Sequence, residues 1–170
     1  MTIGLYVRNL NNGPWFGINE NEKYSPASLM KVPILITFLK WIEQDAPILN
    51  KKILIDNYKN TVIQYYKPIN NLIIGKEYTI AELLKEMIIN SNNLAMDTLT
   101  DFLPTDYYTK MSHDLGIPIA KKDTDENYLS VKDAATFFRI LYNASYLERD
   151  TSEYALKILS KVTFNSGLRA

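Results

Sequence analysis

Residues 3 to 8 alternate, with Ile3, Leu5 and Val7 on one face and Gly4, Tyr6 and Arg8 on the other, which is the period of a β-strand. Asn11-Asn12-Gly13 is a turn signal, and Trp15 to Ile18 can return beside the first run. The pattern predicts an N-terminal β-hairpin. After it the spacing changes and reads mainly as helix. Ser25-Pro26 fits an N-cap followed by the first helical position. From Ala27 to Glu43 the chain is apolar almost all round, through Leu29, Val32, Leu35, Ile36, Phe38, Leu39, Trp41 and Ile42. A helix of that kind is buried on most sides. Pro33 should kink it or leave its first turn irregular.

The stretch from 44 to 78 is mixed and polar, with short apolar pieces at Ile53 to Ile55 and Leu72 to Ile74. Thr79 and Glu82 then form a capping box for a helix carrying Ile80, Leu83, Leu84, Met87 and Ile88. Asn90 to Asn93 interrupt it. Leu94 to Leu103 is a further helix, stopped by Pro104, and Thr105 to Leu115 another, with Gly116 just past its end. Ser130 and Asp133 open one that runs to about Ala144. Asp150 caps the last, from Thr151 to about Val162. The expected class is α+β and helix-rich, with a hairpin over 1–24 and a helical layer over 25–170. A two-stranded hairpin is marginal alone. The expectation is therefore that the remainder of an antiparallel sheet is absent.

Length and composition narrow the chemistry. The 170 residues fit one domain or a large piece of one. Nineteen basic against nineteen acidic residues give no net charge, which argues against a nucleic-acid partner. There are no cysteines, so disulfides, thiolate catalysis and Cys-based zinc sites are excluded. His113 is the single histidine, which rules out a multi-His metal site and leaves one possible base for a Ser-His-Asp triad. Beside Asp114 on a polar helix face, it reads as a surface residue. No cofactor or metal is expected. The start, Met1-Thr2-Ile3-Gly4-Leu5, lacks a basic region followed by a long apolar run, and Val32 to Leu39 is too short to span a bilayer.

The chemistry-bearing segment is Tyr24-Ser25-Pro26-Ala27-Ser28-Leu29-Met30-Lys31-Val32-Pro33. Ser28 and Lys31 are three apart, so on a helix their side chains share a face. A serine hydroxyl needs a base to take its proton. Lysine serves only if its pKa falls from about 10.4 towards 7, a shift worth about 4 kcal/mol. A helix dipole supplies about 0.3–1 kcal/mol, or about 2 at best. The rest must come from burial or a neighbouring cation, so Lys31 should be largely buried. Taken alone, the spacing also fits an N-cap serine and a surface lysine. Ser91-Asn92-Asn93 lies in the interruption between two helices, where Ser91 and Asn93 can point into one cleft. That tripeptide alone also fits a helix end followed by a helix start.

Together, Ser28-x-x-Lys31 and Ser91-x-Asn93 resemble the S-x-x-K and S-x-N motifs of serine β-lactamases and penicillin-binding D-Ala-D-Ala peptidases, closest to the class A β-lactamase-like branch. The resemblance covers nearly the whole chain, including the approach Tyr24-Ser25-Pro26-Ala27 and the run Leu83-Leu84-Lys85-Glu86-Met87-Ile88 into the second motif. It implies that Ser28 is acylated, Lys31 is the base, Ser91 shuttles a proton, and Asn93 holds Lys31 and the substrate. Asn92 stands where the family often has Asp, and its side chain should point into the structure. The substrate would be a β-lactam or a peptidoglycan stem peptide. The location would be periplasmic, extracellular or on the cell surface.

Two departures qualify that implication. The Lys-Thr/Ser-Gly motif of the family is absent, since the only glycines after Asn93 are Gly116 and Gly167 and neither follows such a pair. In the family that strand provides half of the oxyanion hole, and losing one donor costs about 10²–10³ in rate. The expectation is thus a chain that lacks a C-terminal segment of the same fold and has little activity without it. The second departure is the glutamate that frees the acyl-enzyme. The family's Glu-x-x-x-Asn pattern does not appear between Gly116 and Ser130. Within Asp123-Thr124-Asp125-Glu126-Asn127, Glu126 is the candidate, although such a run also fits a solvated loop. Without that carboxylate the acyl group would persist. A non-hydrolytic penicillin-binding or sensor module and an inert helical fragment are the competing readings. Tyr65 or Tyr66 could line the cleft.

Overall fold

The computed structural model describes residues 2–56, 72–117 and 128–162. Glu126, with Asp123 and Asp125, lies outside the described residues, as do Tyr65 and Tyr66. The N-terminal hairpin pairs β1 (Leu5–Arg8) with β2 (Trp15–Ile18), antiparallel, in the register Leu5 with Ile18 and Arg8 with Trp15. The turn closes through Gly13, whose φ of +90° suits a residue without Cβ. The alternation does not translate into one buried face. Leu5, Val7, Trp15, Phe16 and Ile18 are all exposed. The hairpin is held by Tyr6 against Trp15, by the Lys132 ammonium over the Trp15 ring, and by contacts from a later helix.

The apolar segment after the hairpin is two elements rather than one helix. A 3-10 turn spans Ala27–Met30, and α1 follows from Lys31–Gln44. Pro26 precedes the turn, and no side chain caps it, so Ser25 is not the expected N-cap. Ala27 opens that turn with left-handed backbone, at φ +47°, so no continuous right-handed helix runs back through it to Pro26. Pro33 falls in the first turn of α1, where its missing N–H has no partner to lose. Residues 31–39 of α1 are buried without a break, and Leu35, Ile36 and Phe38 are wholly enclosed. This helix is the axis of the helical layer.

Around it stand α2 (Ile80–Ile89), α3 (Asn93–Phe102), α4 (Thr105–Leu115), α5 (Val131–Asn143) and α6 (Arg149–Leu159). Helix α1 packs against α2, α4 and α6; α2 packs on α3; and α5 packs on α6 and β1. The caps explain most boundaries. Thr79 and Glu82 close the expected capping box on α2, Asn92 Oδ1 accepts from the Ala95 N–H on α3, and Ser130 Oγ accepts from Asp133 N–H on α5. Gly116 ends α4 at φ +62°. The last helix starts earlier than Asp150 implies. Glu148 is its N-cap position, its N–H donating to Glu43 Oε1 at 2.7 Å, and Asp150 lies inside the first turn.

Two short ladders have no counterpart in the sequence pattern. Strand β3 (Lys23–Tyr24) pairs with β6 (Leu129–Ser130), and β4 (Lys52–Leu54) pairs with β5 (Glu77–Thr79), both antiparallel. The β3–β6 pair fixes the chain just before the 3-10 turn to the start of α5, and the Lys23–Asp133 ion pair at 3.0 Å reinforces it.

Candidate active site

Ser28 sits inside the 3-10 turn, and Lys31 is the first residue of α1. In a 3-10 turn residues i and i+3 eclipse, so the three-residue spacing stacks the two side chains directly. Ser28 is exposed, while Lys31 is only 2% exposed. A cation can be buried only if its protons are bonded. Lys31 Nζ donates to the Ser91 carbonyl oxygen at 2.6 Å, to Asn93 Oδ1 at 2.7 Å and to Ser91 Oγ at 2.9 Å; Ser28 Oγ lies 3.5 Å away. Ser91 Oγ in turn donates to Ser28 Oγ at 2.9 Å. The structure therefore brings Ser28, Lys31, Ser91 and Asn93 into one cluster.

The loop between α2 and α3 makes this possible. Ser91 adopts φ +50°, which breaks α2 and turns both its carbonyl and its hydroxyl towards α1. Asn92 N–H returns to the Glu86 carbonyl at 3.1 Å, and the Asn92 side chain, 2% exposed, caps α3. With Asn92 turned inward, Asn93 faces Lys31. An aspartate at position 92 could accept the same capping bond, so Asn there leaves the geometry intact.

Burial lowers the Lys31 pKa from 10.5 to about 8, and the Asp97 carboxylate acts in the opposite sense. The amine is therefore neutral in about a tenth of molecules at pH 7. Asp97, one helical turn beyond Asn93, is a residue that the two motifs do not include. The signal for it is the i,i+4 spacing on α3, usable only once that helix's face is known. His113 is a surface residue, with its side chain 91% exposed. Among the described residues, no group of three or more His, Cys, Asp or Glu side chains could hold a metal ion, and no helix is long and apolar enough to cross a membrane.

A family model described as the beta-lactamase enzyme family matches residues 1–170. Solved structures share the fold at low identity. A β-lactamase from Sphaerobacter thermophilus DSM 20745 superposes with a TM-score of 0.77 at 20% identity, over 95% of this chain and 63% of its own. PBP-A gives 0.78 at 21% over the same shares. A PBP-A mutant, described as an acyl-enzyme complex with penicillin G, gives 0.77 at 22%, again over 95% and 63%. The chain thus spans less than two thirds of the length of these structures. No curated protein matches it.

Proposed function

The chain belongs to the β-lactamase enzyme family, and from that premise we propose that it carries the acylating half of a serine hydrolase acting on β-lactams or on peptidoglycan D-Ala-D-Ala amides. The observation that supports this reading best is the buried Lys31 amine, bonded to Ser91 and Asn93 beside an exposed Ser28 hydroxyl.

The arrangement suits one sequence of proton moves. An ammonium has three N–H donors, and the three shorter contacts of Lys31 use all of them. When Lys31 is neutral it keeps two. The Ser91 carbonyl and Asn93 Oδ1 can only accept, so they hold those two N–H groups. The lone pair then faces the two hydroxyls. Ser28 can lose its proton to Nζ directly, across 3.5 Å, or through Ser91 in two steps of 2.9 Å each. The shorter hops favour the relay. Ser28 Oγ then attacks the lactam or amide carbonyl carbon, and the acyl C–N bond breaks. The proton held by Lys31 returns through Ser91 to the leaving nitrogen, leaving an ester on Ser28. Hydrolysis of that ester by water completes turnover.

The test is mass spectrometry after incubation with benzylpenicillin. An adduct on Ser28 that vanishes in Ser28→Ala is the expected result. Penicillin consumed without a lasting adduct marks a β-lactamase. A lasting adduct marks a penicillin-binding module or a peptidase. Absence of any Ser28-dependent adduct or turnover, in this chain and in one extended to the length of its structural relatives, would overturn the proposal.

A further inference from the structure

Helix α3 runs Asn93–Phe102, and residues four apart on a helix stand one above the other on the same face. Asn93 faces Lys31, with its Oδ1 2.7 Å from Nζ. Asp97 is the next residue on that face. Its Oδ2 is shut off from solvent, and the side chain also borders a cavity of about 480 Å³ shared with Asp56, Asp101 and Thr98. We infer that Asp97 is a positioning residue of this site: its carboxylate, one turn beyond Asn93, fixes the charge on Lys31 as it waits beside Ser28, and thereby the pH at which Ser28 is activated. The catalytic consequence rests on the function proposed above; the electrostatic coupling does not.

Two opposed effects act on the amine. Burial favours the neutral form, and a nearby carboxylate favours the ammonium. Among the described residues, the carboxylate whose charge acts on Lys31 is that of Asp97. Among the described residues, three acids of the neighbouring helices have partners of their own. Glu86 on α2 accepts from the Asn90 amide at 2.9 Å, Asp133 on α5 pairs with Lys23 at 3.0 Å, and Glu43 on α1 pairs with Lys40 at 2.8 Å. Asp56 lines the same cavity, and Asp101 stands one turn beyond Asp97 on the same face of α3. Asn93 and Asp97 divide the work: the amide oxygen orients the amine without charge, and the carboxylate beyond it supplies charge without contact to Ser28. A neutral residue at 97 would leave Lys31 less basic and neutral at lower pH.

Lys31 can be followed directly by its 13Cε resonance in lysine-labelled protein, identified as the signal lost in Lys31→Met. In Asp97→Asn its midpoint should fall by roughly one pH unit, and in Asp97→Glu it should return to the wild-type value. Asp97→Ser, which has a smaller side chain, should give the same downward move and serves if the Asn variant does not fold. A purely structural role for Asp97 would alter stability and leave the midpoint in place. An unmoved Lys31 midpoint in a folded neutral variant overturns the inference whether or not penicillin forms an adduct. A missing adduct with the midpoint moved defeats only the proposed function. Where acylation is measurable, its acid limb should move down with the midpoint, so that at pH 6.5 Asp97→Asn carries up to about tenfold more neutral amine than wild type.

Discussion

Replacing Lys31 with methionine should make the stability of this protein respond differently to pH, by an amount that follows from the buried amine. Lysine 31 titrates near 10.5 when unfolded and near 8 when folded. That difference corresponds to about 3 kcal/mol. The folded-state value is the lower one. Below about pH 8 the amine is charged in both states, and the whole cost of burying it weighs against folding. Between about 8 and 10.5 the unfolded chain keeps a proton that the folded chain has released, so stability rises with pH. Integrated from pH 7 to pH 10, wild type should gain about 2.5 kcal/mol relative to Lys31→Met. Methionine removes the charge and adds a pH-independent offset, because the Ser91 carbonyl and Asn93 Oδ1 lose their donor. Tyr108 and Tyr154 are pushed up by burial, and Tyr146, raised to about 12, also feels Asp114; all three are shared by both proteins and cancel in the difference. Urea unfolding at a series of pH values reads it out. With a slope of about 2 kcal/mol per molar, the gap between the two midpoints should change by roughly 1 M over that range. Midpoints that stay parallel from pH 7 to 10 would refute the claim that the amine is held in a water-poor pocket.

Two further outcomes separate the Ser28–Lys31–Ser91–Asn93 cluster from the scaffold. Ser91→Ala removes the hydroxyl between Nζ and Ser28 Oγ but keeps the backbone carbonyl and Asn93 on Lys31; the acylation rate, followed by mass spectrometry, should fall by about 10²–10⁴ while the circular dichroism spectrum stays the same. Thr79→Ala breaks the capping box of α2, where Thr79 Oγ1 accepts from Glu82 N–H and Glu82 Oε2 accepts from Thr79 N–H. It should cost about 1 kcal/mol, seen as a melting temperature lower by roughly 2–4 °C, with acylation unchanged.

The sequence announces the helical layer wherever a cap or a breaker marks an end. Thr79, Ser130 and Gly116 each sit at a helix boundary in the structure. It fails where the deciding information is non-local. The ladders β3–β6 and β4–β5 join segments far apart in the chain through two or three residues each, too few for a period-2 pattern to register. The start of α6 moves to Glu148 because Glu43, on a different helix, takes its N–H. The hairpin pattern is correct as local structure, yet both faces carry exposed apolar side chains, since alternation says nothing about what lies opposite. Of the site, the two motifs give the four clustered residues. Asp97 escapes because its relevance depends on which face of α3 looks at Lys31, and that is set by how α2 and α3 pack.

The cluster also explains why local rules are broken where they are. Among the described residues, four non-glycine positions have left-handed backbone: Asn19, Ala27, Ser91 and Ala144. Two of them are in the site, Ala27 directly before Ser28 and Ser91 itself. Each costs about 1 kcal/mol or more relative to a relaxed backbone. Neither can be replaced by a regular helix without losing the geometry. A right-handed Ala27 would join the 3-10 turn to a longer helix and rotate the exposed Ser28 hydroxyl. A right-handed Ser91 would carry α2 onward and take its carbonyl and hydroxyl away from Nζ. The strain persists because its surroundings are held independently. The β3–β6 pair and the Lys23–Asp133 ion pair fix the approach to Ala27, and the enclosed side chains of Leu84, Met87, Ala95 and Leu99 fix the helices on either side of Ser91. Packing on both flanks leaves the turns no freedom to relax, and the hydroxyl, the amine and the amide are held together by the fold itself.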